Sequence, residues 1–272
     1  MQLSNRLTRI LVALIAIPLI VGVAYFGKLL FLIFILFIGL LAYDEFSKML
    51  KSKSIYSNYI LGLLSVFFII VNSYLNLISF EAVAIIIVLF ILIAELFRNK
   101  ASAIMNIGGT LTGIFYIGLF AASIIRLREF PFTENNYEQG GLLIISILAS
   151  IWICDSAAYF LGTAFGSHKL FPRVSPNKSW EGAISGFIFA ILTMILAKVL
   201  VIDYLSYIDV LIIGFIIGTV GQIGDLVESL IKRDANVKDS SSVIPGHGGI
   251  FDRFDSFLFS SPVIYLYLVL FK

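Results

Sequence analysis

The chain reads as long apolar runs broken by short polar joints. A helix needs roughly 20 apolar residues to cross the hydrocarbon core of a bilayer. Nine runs approach that length: Leu7–Tyr25, Leu29–Phe46, Tyr59–Leu77, Phe80–Phe97, Ala103–Ile125, Leu142–Phe165, Trp180–Val201, Val210–Ile231 and Ile250–Phe271. Only Asn76 to Ser79 separate the third run from the fourth, which predicts a tight antiparallel helical hairpin. Backbone inside lipid must satisfy its hydrogen bonds internally. The expected fold class is therefore all-α, a polytopic integral membrane helix bundle of about nine transmembrane helices. The longest polar connections are Arg126–Gly141, Gly166–Ser179 and Lys232–Gly249, and none is large enough for a soluble domain. Arg6 and Arg9 precede the first run, but no convincing small-residue cleavage site follows, so it is expected to be a retained span and not a signal peptide.

Composition agrees with this pattern. Of 272 residues, 60% are hydrophobic and only 13% charged, with mean hydropathy +1.02; soluble chains are about a quarter charged. The formal net charge of +2 says nothing about partners; no nucleic-acid partner is expected. Cys154 is the single cysteine, which excludes an intrachain disulfide and a cysteine-based metal site.

The placement of charge is more informative than its sum. With nine spans and a cytoplasmic N-terminus, fourteen of the nineteen Lys and Arg residues fall on the cytoplasmic side. That bias sets the expected orientation, and it puts connections 166–179 and 232–249 on the cytoplasmic face. Residues 1–135 read as a transmembrane scaffold of about five spans. Residues 136–272 read as a catalytic region of about four, because charges there lie inside or against the spans. Ionisable residues within a membrane are costly and usually functional.

Asp225, Glu228, Ser229 and Lys232 follow helical spacing and share one face. The alternative is an interfacial helix end in which Glu228 pairs with Lys232. Span nine opens with Asp252 and Asp255, three residues apart on one face. Carboxylates clustered in a low-dielectric setting need a counter-charge. A hard divalent cation such as Mg²⁺ is one solution, with substrate phosphates completing its shell; pairing with Lys232, Arg233 and Arg253 is the other. Between these helices lies a loop containing Lys238, Asp239 and Pro245-Gly246-His247-Gly248-Gly249, whose glycines let backbone N–H groups approach an anion. Asp155 sits deep in span six, with Ser156 and Tyr159 nearby. The following loop carries His168, Arg173, Ser175, Lys178, Ser179 and Glu181; Ser179 is placed to cap span seven, with Glu181 in its first turn.

The run Ser229-x-Ile231-Lys232-Arg233, then Lys238-Asp239, then Pro245-x-His247-Gly248-Gly249-Ile250-x-Asp252-Arg253-Phe254-Asp255 resembles the signature of the phosphatidate cytidylyltransferases. Residues 175–182 and the Asp155–Gly162 stretch are similar to this family as well, so the resemblance covers roughly residues 150–262. Asn236, where relatives often carry Gly, is a small departure. The resemblance implies transfer of a cytidylyl group from CTP to phosphatidate in phospholipid biosynthesis, giving CDP-diacylglycerol and pyrophosphate, with Mg²⁺ required and room for a second cation. It implies metal binding by Asp225 and Asp252, with Asp255 or Asp155 in addition. It assigns Lys232, Arg233, Lys238 and Arg253 to phosphates, loop N–H groups of Gly246, Gly248 and Gly249 to the substrate, and His247 as a donor. Ser175, Lys178 and Ser179 are assigned to the nucleotide or lipid headgroup, and Ser229, Asp239 and Glu181 are counted with the site. The expected location is the inner membrane, multi-pass, with the lipid bilayer as partner; a homodimer is compatible with the sequence. A polyprenol kinase-like enzyme is the nearer alternative. A transporter is the more distant one, and the chain lacks the internal repeats many transporters show.

Overall fold

The computed structural model describes residues 5–132, 136–243 and 248–272. Eleven α-helices account for most of them. They are α1 (Asn5–Phe26), α2 (Lys28–Ser52), α3 (Tyr59–Leu75), α4 (Phe80–Leu96), α5 (Ala103–Gly113), α6 (Phe120–Arg128), α7 (Glu138–Phe165), α8 (Trp180–Leu200), α9 (Tyr207–Ile216), α10 (Gln222–Asp234) and α11 (Phe251–Phe271). Short π-helical segments, Ile114–Leu119 and Ile217–Gly221, join α5 to α6 and α9 to α10. Six helical stretches among the described residues are long and apolar enough to cross a membrane: 28–52, 103–128, 138–165, 180–200, 207–234 and 251–271. The chain is thus a helical, multi-pass membrane protein. α3 and α4 have 17 residues each, at the short limit for a span, so length alone does not carry the count from six to nine.

One departure from an all-α expectation lies in the connection 166–179. It contains two antiparallel strands, β1 (Lys169–Phe171) and β2 (Ser175–Ser179), pairing Lys169 with Ser179 and Phe171 with Ser175. A chain that must turn back within so few residues satisfies its backbone groups most simply as a hairpin.

The helices form two compact units. The first comprises Met1–Leu19, Lys28–Arg126 and Ile231–Phe254; the second comprises Ile20–Gly27, Leu127–Leu230 and Asp255–Lys272.

In the first unit α2 packs on α3 and on the π segment after α5. Ile35, Ile38, Val66, Ile70, Ile114 and Ile117 are buried there. The α3–α4 hairpin forms as its four-residue joint predicts. Asn76 takes a left-handed φ of 53°, the Asn72 side chain bonds both backbone groups of Ile78, and the Ser79 hydroxyl caps α4 at Ala82 N.

In the second unit α7 runs against α8, and α8 against α9. Ser179 ends β2 and caps α8, accepting from Gly182 N at 3.2 Å. Arg128 is 1% exposed and donates to the carbonyls of Ala24 (2.7 Å), Tyr25 (2.8 Å) and Tyr137 (3.0 Å). A guanidinium satisfies the orphan carbonyls at the end of α1 and neutralises its negative pole, so this cation is structural.

Candidate active site

The second unit holds a carboxylate group. Asp225 and Glu228, one turn apart on α10, meet Asp255 of α11, each offering an oxygen within 4.8 Å of the others. Glu228 is fully buried. Lys178 reaches in from β2 and donates to Asp225, and the Ser229 hydroxyl lies 3.5 Å from the other Asp225 oxygen. Asp155 on α7 is within electrostatic range of Asp255, as is Lys178. The local backbone explains this convergence. The π segment before α10 inserts an extra residue and resets the phase of the following turn. Gly224 then packs directly on Phe259, where a Cβ would collide with the phenylalanine. Close approach of α10 to α11 at this glycine brings Asp225 and Asp255 within reach of each other.

The first unit holds a different arrangement. Lys232, at the end of α10, is buried and donates to Asp252 Oδ1 at 2.7 Å. The other Asp252 oxygen accepts from Ser240 N (2.9 Å) and Gly249 N (2.8 Å) and lies 3.0 Å from the Ser240 hydroxyl oxygen. Glu45 of α2, 1% exposed, lies behind this segment. Its carboxylate accepts from the hydroxyls of Ser240 (2.8 Å) and Ser241 (2.6 Å) and from the N–H groups of Ile250 (3.0 Å) and Phe251 (2.8 Å). The last two are free donors at the N-terminus of α11, the end that favours an anion. Any side chain on Gly249 would strike Ser240 and Glu45, and Gly248 has φ +84° with Asp252 2.6 Å from a would-be Cβ. Both positions therefore require glycine.

The grouping differs from the one expected. The sequence pattern placed Asp225, Asp252 and Asp255 together; the structure joins Asp225 and Asp255 with Glu228, and engages Asp252 with Lys232, Ser240 and Gly249. Arg233 is exposed and donates to the Val237 carbonyl at 3.2 Å. Lys238, Asp239 and Arg253 are exposed, and Ser175 is half-buried on β2. Glu181 binds His168 through the ring (2.6 Å) and the backbone N–H (3.2 Å), tying the hairpin to α8. Gly246 and His247 lie outside the described residues.

Two residues escaped the sequence argument. Glu228 was legible as part of the polar stripe, but the stripe alone did not place it beside Asp255. Glu45 left no signal, because it sits at the end of an apolar run where charges are ordinary.

The profile of the cytidylyltransferase family matches residues 7–271. The chain is 35% identical over 270 residues to the phosphatidate cytidylyltransferase of Bacillus subtilis, covering 97% of this chain and 98% of that one. It is 32% identical over 267 residues to the enzyme of the same name from Staphylococcus saprophyticus, covering 96% and 98%. With the Haemophilus influenzae phosphatidate cytidylyltransferase identity is 44% over 150 residues, about half of each chain. Likeness of this extent, end to end across both units and both carboxylate arrangements, means that the chain belongs to the cytidylyltransferase family.

Proposed function

We propose that this protein transfers the cytidylyl group of CTP to phosphatidate, giving CDP-diacylglycerol and pyrophosphate. The observation that carries the reading is the group Asp225, Glu228 and Asp255 facing Lys178 within apolar, span-length helices. The relatives' shared name supplies the substrates. One substrate is a charged nucleotide and the other a lipid, so the reaction belongs where polar groups are held inside a membrane protein.

The carboxylates suit a hard cation. Ligand oxygens around Mg²⁺ lie about 2.1 Å from the ion and so about 3–4 Å from one another, close to the spacing seen. Asp225, Glu228 and Asp255 would hold Mg²⁺, with Asp155 as a further ligand for that ion or a second cation; Asp252, engaged by Lys232, Ser240 and Gly249, is left to shape the loop. When bound, the ion supplies Lewis-acid polarisation of the phosphates and relief of their repulsion.

In the reaction a phosphatidate oxygen forms a bond to the α-phosphorus of CTP while the bond to the β-phosphate bridging oxygen breaks, releasing pyrophosphate. The attacking oxygen is already anionic, so no strong general base is needed. The protein's task is to bring anions together. Lys178 is assigned to the polyphosphate, and Lys232, Arg233, Lys238 and Arg253 to phosphate charge. Ser240 and Gly249, held by Asp252 and Glu45, keep the glycine-rich segment in shape. With nine spans, the Lys and Arg distribution favours a cytoplasmic N-terminus and cytoplasmic loops 166–179 and 232–249, on the side where CTP is found; an inner-membrane location and a homodimer are compatible with this layout.

The test is incubation of membranes containing the protein with labelled CTP, Mg²⁺ and either phosphatidate or a polyprenol. Label entering a liponucleotide only with phosphatidate is expected. Formation of a phosphorylated polyprenol instead overturns the reading.

A further inference from the structure

A second feature of the first unit lies among residues that the reaction above does not use. Where α2 ends and α3 begins, a cleft of about 710 Å³ opens, lined by Lys48, Lys51, Arg98 and Lys100 with Asp44 as the one acid. That volume lies within the roughly 300–1,000 Å³ of ligand sites. The four cations and one carboxylate give the lining a formal charge of +3.

Its groups are arranged to leave positive charge available. Asp44 is occupied by Lys48 (2.6 Å) and by the Tyr59 hydroxyl (3.0 Å). Arg98 is fixed by Glu95 (2.8 Å) and by the Tyr56 carbonyl (3.0 Å). Glu95 is itself buried and held by the Asn106 amide at 2.7 Å. Lys51 and Lys100 are exposed and have no carboxylate within ion-pair distance among the described residues.

The cleft does not end at its polar part. Asp44 and Tyr59 also line an apolar groove of about 470 Å³ between α2 and α3, floored by Leu41, Leu63, Leu64 and Phe67. Leu64 and Phe67 are 58% and 44% exposed, on helices that carry the chain's apolar surface. A cationic cleft continuous with an apolar groove along a membrane helix has the polarity profile of one phospholipid molecule. Neither a soluble anion nor a neutral lipid matches both parts.

We infer that this cleft and groove bind an anionic phospholipid, its phosphate against Lys51, Lys100 and Arg98 and an acyl chain along α2 and α3. Basic residues at a membrane surface attract anionic lipid headgroups.

Native mass spectrometry of the full-length purified protein tests this. The probe is dioleoyl phosphatidylglycerol, which has the phosphate charge but no terminal phosphate to accept a cytidylyl group. The wild type is expected to retain it in preference to dioleoyl phosphatidylcholine, and soluble glycerol phosphate should not displace it. The exposed pair Lys51→Gln/Lys100→Gln should weaken retention about tenfold or more, and Leu63→Trp, which fills the groove, should weaken it independently. Cytidylyltransfer by the Lys51→Gln/Lys100→Gln protein at saturating substrates should stay at the wild-type rate, which also separates this site from the reaction. Equal retention of phosphatidylglycerol by that variant, equal binding of phosphatidylcholine, or displacement by glycerol phosphate overturns the inference.

Discussion

The Glu45 carboxylate accepts the backbone N–H of Phe251 at 2.8 Å, binding the second helix of the chain to the first residue of the last. The same carboxylate takes Ile250 N, Ser240 Oγ and Ser241 Oγ. An anion this buried is tolerated because four donors surround it. The consequence is that a glycine-rich segment, able to adopt many shapes, is held in one.

Glu45→Gln should therefore disturb the segment while leaving α2 in place. An amide presents one acceptor and one NH₂ where the carboxylate offers two acceptors, so some buried donors lose their partner, at roughly 1–3 kcal/mol each. The expected result is a lower Tm and at least a tenfold loss of CTP-dependent activity. Asp44→Asn, on the neighbouring residue, should leave the rate nearly unchanged; comparing both rates in matched membranes checks the claim.

Lys232 and Asp252 form a buried pair, with side chains 11% and 3% exposed. Removing one partner strands a buried charge, typically costing roughly 3–5 kcal/mol. Lys232→Met should thus destabilise strongly. Adding Asp252→Asn should recover part of the stability and none of the activity. Thermal melts of the two single variants and the double variant measure this coupling.

Asp225→Asn and Glu228→Gln remove charge from the carboxylate group at nearly constant volume. If this group holds Mg²⁺, each variant should fold, need more Mg²⁺ for half-maximal rate, and lose about 100-fold or more in kcat, in line with the several kcal/mol a catalytic metal supplies. Chelation should abolish wild-type turnover. An Asp225→Asn protein that is folded and fully active would remove the metal assignment.

Gly224→Leu tests the approach of α10 to α11. Its side chain has to displace Phe259, and overpacking costs about 1–3 kcal/mol. Activity should fall with Tm, and Phe259→Ala in the same chain should restore part of both. Gly108→Leu, at a position with open space around it, should change neither.

Much of the architecture was legible from the chain. Hydrophobic run length decides where helices form in lipid, because backbone groups there have no other partner. Asn76 and Ser79 marked the α3–α4 joint, and Ser179 the start of α8, because turn and cap chemistry is local. The spacing of Asp225, Glu228, Ser229 and Lys232 placed them on one helix face, and the motif through Asp255 indicated the reaction.

Which carboxylates meet was not legible. Helical periodicity gives the face of each helix but not its depth or rotation against a neighbour. Those depend on the π segment before α10 and on the contact of Gly224 with Phe259. They bring Asp255 to Asp225, while Asp252, three residues earlier on α11, bonds Lys232, Ser240 and Gly249. Glu45 shows the same limit, since its four donors come from residues about 200 positions later in the chain. Sequence by itself determined the helices, their polar faces and the family. Only the tertiary structure decided which acid holds the loop and which acids converge, because those outcomes rest on contacts between segments that no local pattern encodes.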